Sequence, residues 1–460
     1  MPGGREASGH GGELTREQRD RAKGDLLRFT ALNALSFEVL AGQILILFAR
    51  KVGASLSEVG LLAALLPFAS IIQLGVAPLV NRFGPRKLML VGWSARTVVS
   101  ACLLLVPVAA QHGGSAAATR MLLVVMGSFY LCRALGMSSW LPMVQEIVPP
   151  EDRGMYLSRQ EWLRQVSIVL IAVVTAVYLF DASGISRFLH IIAVGTVAAA
   201  WSLWYLWRIP DVGMDAEPAH GDYFRRALAP LRDRIFRQYL AFSVLLRMVL
   251  SAITPFLIVF LREGLHLSAS GVIAVNTVSS LGAIATLGWW GRWSDRVGAK
   301  PALAVSLCGM AGSLCLWIFT RSGSGWMWLE AGLVSLILGI FTGGLTVAMS
   351  KFELGFIPMR DRAHYVATNV TAVGLGSGIA TLAAGAILQA LAGVDLRWGV
   401  VEIDRYRLFF LLAALLLAIP FWIRRTLPEA CARSVRSLVR RALVRRSAQV
   451  RRRLRKAKKA

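Results

Sequence analysis

Acidic side chains are scarce in this chain: 26 Asp and Glu stand against 51 Lys and Arg, and charged residues of both signs make up only 17% of its 460 residues. A water-soluble chain of this length needs a larger charged surface to cover two or three domains. Cysteine is scarce too. Four of the five stand singly in apolar runs (Cys102, Cys132, Cys308 and Cys315) and Cys431 lies near the C-terminus. That scatter argues against a disulfide framework or a zinc site. No Ser-His-Asp, paired-carboxylate or metal-ligand constellation stands out, so an enzyme is not expected and no cofactor is implied. The glycine loop that cradles nucleotide phosphates is missing, which argues against direct coupling to ATP. The first 26 residues are polar and of mixed charge, unlike a cleavable leader.

What the chain has in abundance is apolar length. Hydrophobic residues make up 56%, and runs near 20 residues recur, among them Leu88–Ala110, Phe188–Trp207 and Leu408–Ile423. Most are long enough to cross about 30 Å of hydrocarbon as a helix. They are continuous rather than alternating, which selects helices over a barrel. The reading is an all-α, multi-pass membrane protein with twelve transmembrane helices, at 27–49, 57–80, 87–110, 119–147, 160–182, 185–207, 236–261, 269–292, 301–320, 326–350, 365–391 and 405–424. The expected organisation is an N-terminal tail (1–26), a six-helix bundle (27–208), a polar linker (209–235), a second six-helix bundle (236–424) and a basic tail (425–460).

Lys and Arg set the sidedness of such a protein. The side that carries the N-terminus receives 39 of them and the opposite side nine. Both termini are therefore expected in the cytoplasm, with the protein in the inner membrane of a bacterium. The tail from Arg424 holds 15 basic residues and a single acid, Glu429. Val435, Leu438, Val439, Leu443, Val450 and Leu454 recur in it at roughly helical spacing. That pattern suits an amphipathic segment on anionic lipid headgroups. Nucleic acid is the weaker candidate partner, because the tail follows directly on a span and has no aromatic residues for stacking.

The chain also repeats itself. "GASLSEVG" (53–60) and "GLHLSASG" (264–271) share G-x-x-L-S-x-x-G at an offset of 211. "VNRFGPRKL" (80–88) and "WSDRVGAKP" (293–301) align Arg82 with Arg296 and Gly84 with Gly298, and "PPEDRGMY" (149–156) aligns with "PMRDRAHY" (358–365). Each match falls in the same gap of its own six-helix half. An even number of spans per half makes the copies parallel, related by an axis along the membrane normal.

Six plus six helices with a basic glycine turn between the second and third resemble the major facilitator superfamily. Its turn pattern, G-x-x-x-D-R-x-G-R/K-R/K, is matched by Gly291, Asp295, Arg296, Gly298 and Lys300. The first copy keeps Arg82, Gly84, Arg86 and Lys87 but has Ala77 and Asn81 at the Gly and Asp positions. Glu146 and Arg153 are similar to the E-x6-R arrangement of the sugar-porter branch. The resemblance implies a transporter working by alternating access, without naming a cargo. The expected cytoplasmic gate comprises Asn81, Arg82, Gly84, Arg86, Glu146, Arg153, Gly291, Asp295, Arg296, Gly298, Glu353 and Arg362. Its candidate pairs are Arg82 or Arg86 with Glu146, and Arg296 with Asp295 or Glu353. Asn81 lacks the charge of Asp295, so the first half is expected to lean on Glu146.

Ionisable residues deep in a span usually face a cavity or another helix. Glu38, Arg96, Arg133 and Arg247 qualify. Glu38 shares a face with Ala34, Ala41 and Gly42, and is either a proton acceptor during transport or the partner of a structural ion pair. Arg133 shares a face with Tyr130, Met137 and Trp140, while Ser243, Ser251 and Thr254 flank Arg247. The resemblance carries helices one, four, seven and ten to a central cavity and leaves Arg96 structural. The expected binding or coupling set is Glu38, Tyr130, Trp140, Arg133, Arg247, Asn276 and Thr342. With two cations against one acid, the expected substrate is a small anionic or zwitterionic molecule, with H+ as a candidate coupling ion, carried by a monomer. The rival reading is a non-transporting assembly factor or lipid-contact scaffold, in which the basic tail and the Trp-rich helices serve partner or lipid contacts.

Overall fold

The computed structural model describes residues 15–149, 152–180, 184–210, 229–323, 325–356, 362–398 and 401–428. Most of the linker and nearly all of the basic tail lie outside the described residues. Among those described, ten helical stretches are long and apolar enough to cross a membrane. One of them, residues 85–147, runs for 63 residues and reverses at Gly113 and Gly114, whose backbones leave the helical region. It therefore accounts for two crossings, and Leu56–Phe83, with a shorter apolar stretch, supplies another.

The twelve crossings follow in order. The first is broken into α1 (Arg16–Ala41) and α2 (Gln43–Lys51) at Gly42. The second is α3 (Leu56–Phe83), and α4 (Pro85–Ala101) begins the third. Helix α5 (Val106–Met137) finishes the third, turns, and begins the fourth, which α6 (Trp140–Ile147) completes. Then come α7 (Arg153–Tyr178), α8 (Ser186–Arg208), α9 (Arg234–Val259), α10 (Ala269–Val297), α11 (Ala299–Leu316), α12 (Met327–Phe356) and α13 (Arg362–Ala390). The last crossing is α14 (Arg405–Leu416) with α15 (Ala418–Thr426).

Two features depart from the sequence expectation. Helix α1 starts at Arg16, well ahead of the apolar run, because Thr15 and Gln18 form a capping box that closes its first turn in polar surroundings. A short antiparallel hairpin, β1 (Asp395–Trp398) with β2 (Val401–Asp404), pairs Asp395 with Asp404 ahead of the final crossing. It ends at Asp404, whose side chain caps α14 by accepting from the Arg407 amide at 2.8 Å.

The two copies of the glycine turn fold alike. Gly84 (φ 82°) and Gly298 (φ 97°) each close one helix and open the next with no intervening loop, a backbone that a Cβ would strain. Arginines cover nearby carbonyls in both halves. Arg86 Nη2 donates to Trp207 O at 2.6 Å, and Arg424 Nη1 donates to Lys300 O at 2.6 Å. Each bond joins the start of the third crossing of its half to the end of the sixth, with the donor on opposite partners. On the other face the buried Arg407 donates to Trp317 O and Thr320 O, the carbonyls left over where the ninth crossing ends.

The halves meet along α3 and α13, along α7 and α10, and along α2 and α9. The α3–α13 seam is tight at Gly60, where an added Cβ would sit 2.9 Å from Thr381 O and 3.0 Å from Gly385 Cα. Small residues allow such backbone contact between membrane helices. Gly60→Ala should therefore cost about 1–3 kcal/mol through overpacking. The check is thermal melting in detergent: a lowered midpoint is expected, and an unchanged one would show a looser seam.

Candidate functional site

A cavity of about 640 Å³ lies between the halves, walled by α3 and α5 on one side and by α9, α12 and α13 on the other. Arg133 and Tyr130 enter it from α5, and Ser243, Arg247, Ser251 and Thr254 from α9. The α9 spacing explains this polar stripe: positions four, four and three apart share a helix face. Ser70 from α3, Glu353 from α12, and Asn369 and Ser377 from α13 complete the polar lining, with Asn369 Nδ2 donating to Glu353 Oε1 at 3.2 Å. The Arg133 guanidinium lies 4.7 Å above the Phe37 ring of α1, so one face is held by an aromatic surface. Two cations and one carboxylate thus face the cavity, one cation from each half.

Of the expected binding residues, Tyr130, Arg133 and Arg247 line the cavity, while Glu38, Trp140, Asn276 and Thr342 are not among its lining residues. Trp140 stacks on Phe29 at 6.1 Å within the packing between α1, α4 and α6. Thr342 bonds back to Leu338 O of its own helix at 2.8 Å. Asn276 donates to Gln43 Oε1 at 3.0 Å, a bond from one half to the other. The half-buried Glu38 lies one turn before the break in the first crossing, its carboxyl group directly over Gly42. The Arg164 cation of α7 acts on it.

The gate residues fall into place differently from the expected pairs. Asp295 binds Lys351 Nζ at 2.6 Å, and the same ammonium donates to Gly291 O at 2.9 Å and Ser294 Oγ at 2.7 Å. This clamp lies inside the second half and joins α10 to α12. Arg82 stands exposed over Phe83, 5.3 Å from its ring, and Arg296 is exposed. Arg86 is committed to Trp207 O, and Glu353 faces the cavity instead of Arg296. Glu146 makes no ion pair among the described residues. Asn81, Arg153 and Arg362 lie at helix ends, with side chains outside those described.

Among the described residues, the ion pair that joins the halves lies on the face opposite the termini. Arg50, at the end of α2, sends Nε and Nη2 to the Glu263 carboxylate and Nη1 to Ala54 O. Glu263 also accepts from Tyr406 Oη at 2.6 Å and lies 3.6 Å from Arg405. Sequence reasoning missed this pair by counting Arg50 only as an orientation signal. One clue was present: Arg50 and Glu263 are 213 positions apart, close to the repeat offset, and equivalent positions near a two-fold axis meet. With Gly60–Gly385 and Gln43–Asn276 it seals the far side. No described ion pair joins the halves on the near side. The cavity runs from Thr254 in mid-membrane toward Glu353 and Asn369, near the ends of their helices on the near face.

Comparison with known proteins follows the same outline. The sequence pattern of the family described as the Major Facilitator Superfamily matches twice, at residues 27–274 and 239–455. No curated protein matches by sequence. Among solved structures, a mutant form of the nucleoside transporter NupG superposes with a TM-score of 0.70 at 12% identity, covering 88% of this chain and 99% of that one. The partially occluded, inward-open xylose transporter XylE from E. coli gives 0.61 at 13% identity over 90% and 98%. A D-xylose-proton symporter gives 0.60 at 16% identity over the same shares. At such identities the likeness is one of fold.

Glu263→Gln removes the charge that holds Arg50. We expect it to weaken far-side closure by about 1–2 kcal/mol, roughly a tenfold shift in population. A cysteine placed at Thr254 should then be alkylated several-fold faster by an impermeant reagent added from the far side. Equal rates in the two backgrounds would show that Glu263 does not hold the halves.

Proposed function

The chain belongs to the Major Facilitator Superfamily, a family of membrane transporters rather than enzymes, and from that premise we propose that it moves a small anionic or zwitterionic solute by alternating access. The observation that carries this reading is the pair Arg133 and Arg247, one from each half, facing one cavity against a single acid, Glu353. An anionic group bridging the two cations gains most when the halves approach around it. That gives the ligand different affinities for different conformations, the requirement for shifting an equilibrium between them. The serines of α9 and Asn369 add hydrogen bonds that fix orientation without fixing charge.

Proton coupling belongs to Glu38 in this reading. Its carboxyl group sits against Gly42, where α1 gives way to α2, and Arg164 acts on it from α7. Discontinuous membrane helices place backbone groups and titratable side chains where ions are exchanged. Loss or gain of charge there changes the attraction between α1 and α7, two helices already in contact. A D-xylose-proton symporter shares the fold, which supports the coupling without identifying this chain's cargo. The basic-residue asymmetry supports cytoplasmic termini, and with that orientation the cavity faces inward. The near-face residues Arg82, Arg296 and Glu146 would then engage across the halves only when the protein faces outward.

Two measurements test this. Thermal stabilisation by a panel of anionic metabolites should reach about 2.7 kcal/mol at a ligand concentration one hundred times Kd and vanish in Arg247→Ala. Stabilisation unchanged by that substitution removes the cavity as the binding site. In proteoliposomes, Glu38→Gln should abolish uptake driven by a pH gradient while preserving solute exchange. Uptake indifferent to the gradient and equal in the two proteins removes the proton role. Full cellular function in an Arg133→Ala, Arg247→Ala double variant would favour the scaffold reading, in which the exposed Trp201, Trp204 and Trp207 of α8 meet a partner instead of lipid.

A further inference from the structure

The far-side ion pair forms part of the wall of a second cavity. This chamber of about 400 Å³ is lined by Arg50, Lys51 and Phe188 from the first half and by Arg262, Glu263 and His266 from the second. A neighbouring chamber of about 490 Å³ lies beyond Glu263 and shares both Glu263 and His266 with it. Nitrogen donors therefore outnumber carboxylates four to one around the first chamber.

The one carboxylate is heavily committed. Glu263 holds Arg50 through two guanidinium nitrogens, accepts from Tyr406 and lies near Arg405. Arg262 is exposed and spends Nη1 on Leu267 O at 2.6 Å. Lys51 and His266 are exposed, and their side chains make no hydrogen bond or ion pair among the described residues. The His266 backbone is held at φ 55°, a left-handed conformation uncommon outside glycine. It sits in the turn that follows the π-helical residues Phe260–Gly264, where the Leu265 and Leu267 amides bond to Phe260 O and Leu261 O. The imidazole is thus presented by a fixed turn beside the same chamber as Lys51 and Arg262.

We propose that this far-side chamber is an anion-receiving site whose ligand, a carboxylate- or phosphate-bearing group, lodges among Lys51, Arg262 and His266 and displaces Glu263 from Arg50. The exchange has a physical advantage over simple rupture. Breaking the Arg50–Glu263 pair leaves a partly buried guanidinium without its acceptor, which is costly. Replacing one oxyanion by another keeps charge-assisted hydrogen bonds on Arg50 throughout. Once Glu263 is released it stays with Tyr406 and Arg405 in the second half, so the tie between the halves is lost while both charges remain paired. An arriving anion would in this way loosen the far-side seal that stands between it and the central cavity. The site is separate from that cavity, and shares with the transport reading only the sign of the ligand.

The test uses the full chain in nanodiscs of phosphatidylcholine, with inorganic phosphate as the probe. Spin labels replace His112 and Arg321, exposed far-side positions in opposite halves, on a cysteine-free background. Phosphate should lengthen the distance between the labels, and potassium chloride at equal ionic strength should not. Lys51→Gln with Arg262→Gln should raise the phosphate concentration required by about tenfold. Lys51→Gln alone, at a side chain with no described partner, should raise it by a smaller factor while leaving the phosphate-free distance unchanged. Glu263→Gln should lengthen the distance without phosphate. The response should persist in Arg133→Ala with Arg247→Ala, which separates this site from the central cavity. An equal response to chloride reduces the effect to screening and overturns the proposal. So does a response that survives loss of both Lys51 and Arg262, that disappears with the central arginines, or that appears only when anionic lipid replaces free phosphate.

Discussion

Hydrocarbon offers no hydrogen bonds, so every polar group that this chain carries into the membrane must find its partner within the protein. The helices satisfy their own interiors, and their ends draw on side chains: Thr15, Ser55, Asp233, Ser268 and Asp404 cap amides, while Arg86 and Arg407 cover carbonyls at helix ends. The same constraint governs the charges in the spans. Arg96 is fully buried, and its three guanidinium nitrogens have no hydrogen-bond partner among the described residues. It is held instead between the Trp93 and Phe129 rings, at 5.3 and 5.2 Å. The negative ring faces offset part of its desolvation. Its charge nevertheless acts on Arg133, so a cation outside the cavity lining adds to the positive potential at the cavity wall.

Two similar halves make the differences between them informative. Gly84 and Gly298 keep the same turn, because a helix that ends and reverses without a loop needs a left-handed residue in both places. Around those turns the copies diverge. In the second half Asp295 collects Lys351 and stiffens α10 against α12. Asn81 stands at the corresponding place in the first half, where an amide offers hydrogen bonds but no charge. The expectation that Glu146 compensates finds no ion pair at Glu146 among the described residues. The first half is instead tied at this face by Lys23 with Asp152 at 2.9 Å and by Asp25 with Arg208 at 3.5 Å, through a part of α1 that the apolar pattern alone assigns to a tail.

The architecture was legible because it rests on long-range periodicity. Span length, the run of Lys and Arg and the repeated turns each sample many residues, and a misplaced boundary such as the start of α1 does not disturb the plan. The site was legible in part. Arg133 and Arg247 stood out because a cation in mid-span needs a polar surface, and both line the central cavity. Trp140 and Thr342 share helix faces with polar neighbours, but helix rotation relative to another half is not written in local spacing. The pairings at the gate were least legible. A glutamate near a helix end has several arginines within reach in sequence, and only the packing of α12 against α10 and α11 decides that Glu353 faces Asn369 rather than Arg296.

The two faces of the molecule also differ in how they are closed, and that difference bears on which one yields. At the far side, backbone meets backbone at Gly60 and Gly385, and two side-chain bonds cross between the halves, Gln43–Asn276 and Arg50–Glu263. Apolar contact alone would leave little to distinguish one small displacement from another. A charged pair at the mouth changes that, because it holds only within a narrow range of distance and is lost together with the contact it guards. The near-face charges Arg82 and Arg296 stand exposed, and among the described residues no ion pair joins the halves on that side. The central arginines complete the balance. Like charges on α5 and α9 facing one cavity disfavour approach of the halves, and under the proposed function an anion between them would reverse the sign of that force. In the proposed cycle a cargo of matching charge would then be the element that draws the near side shut.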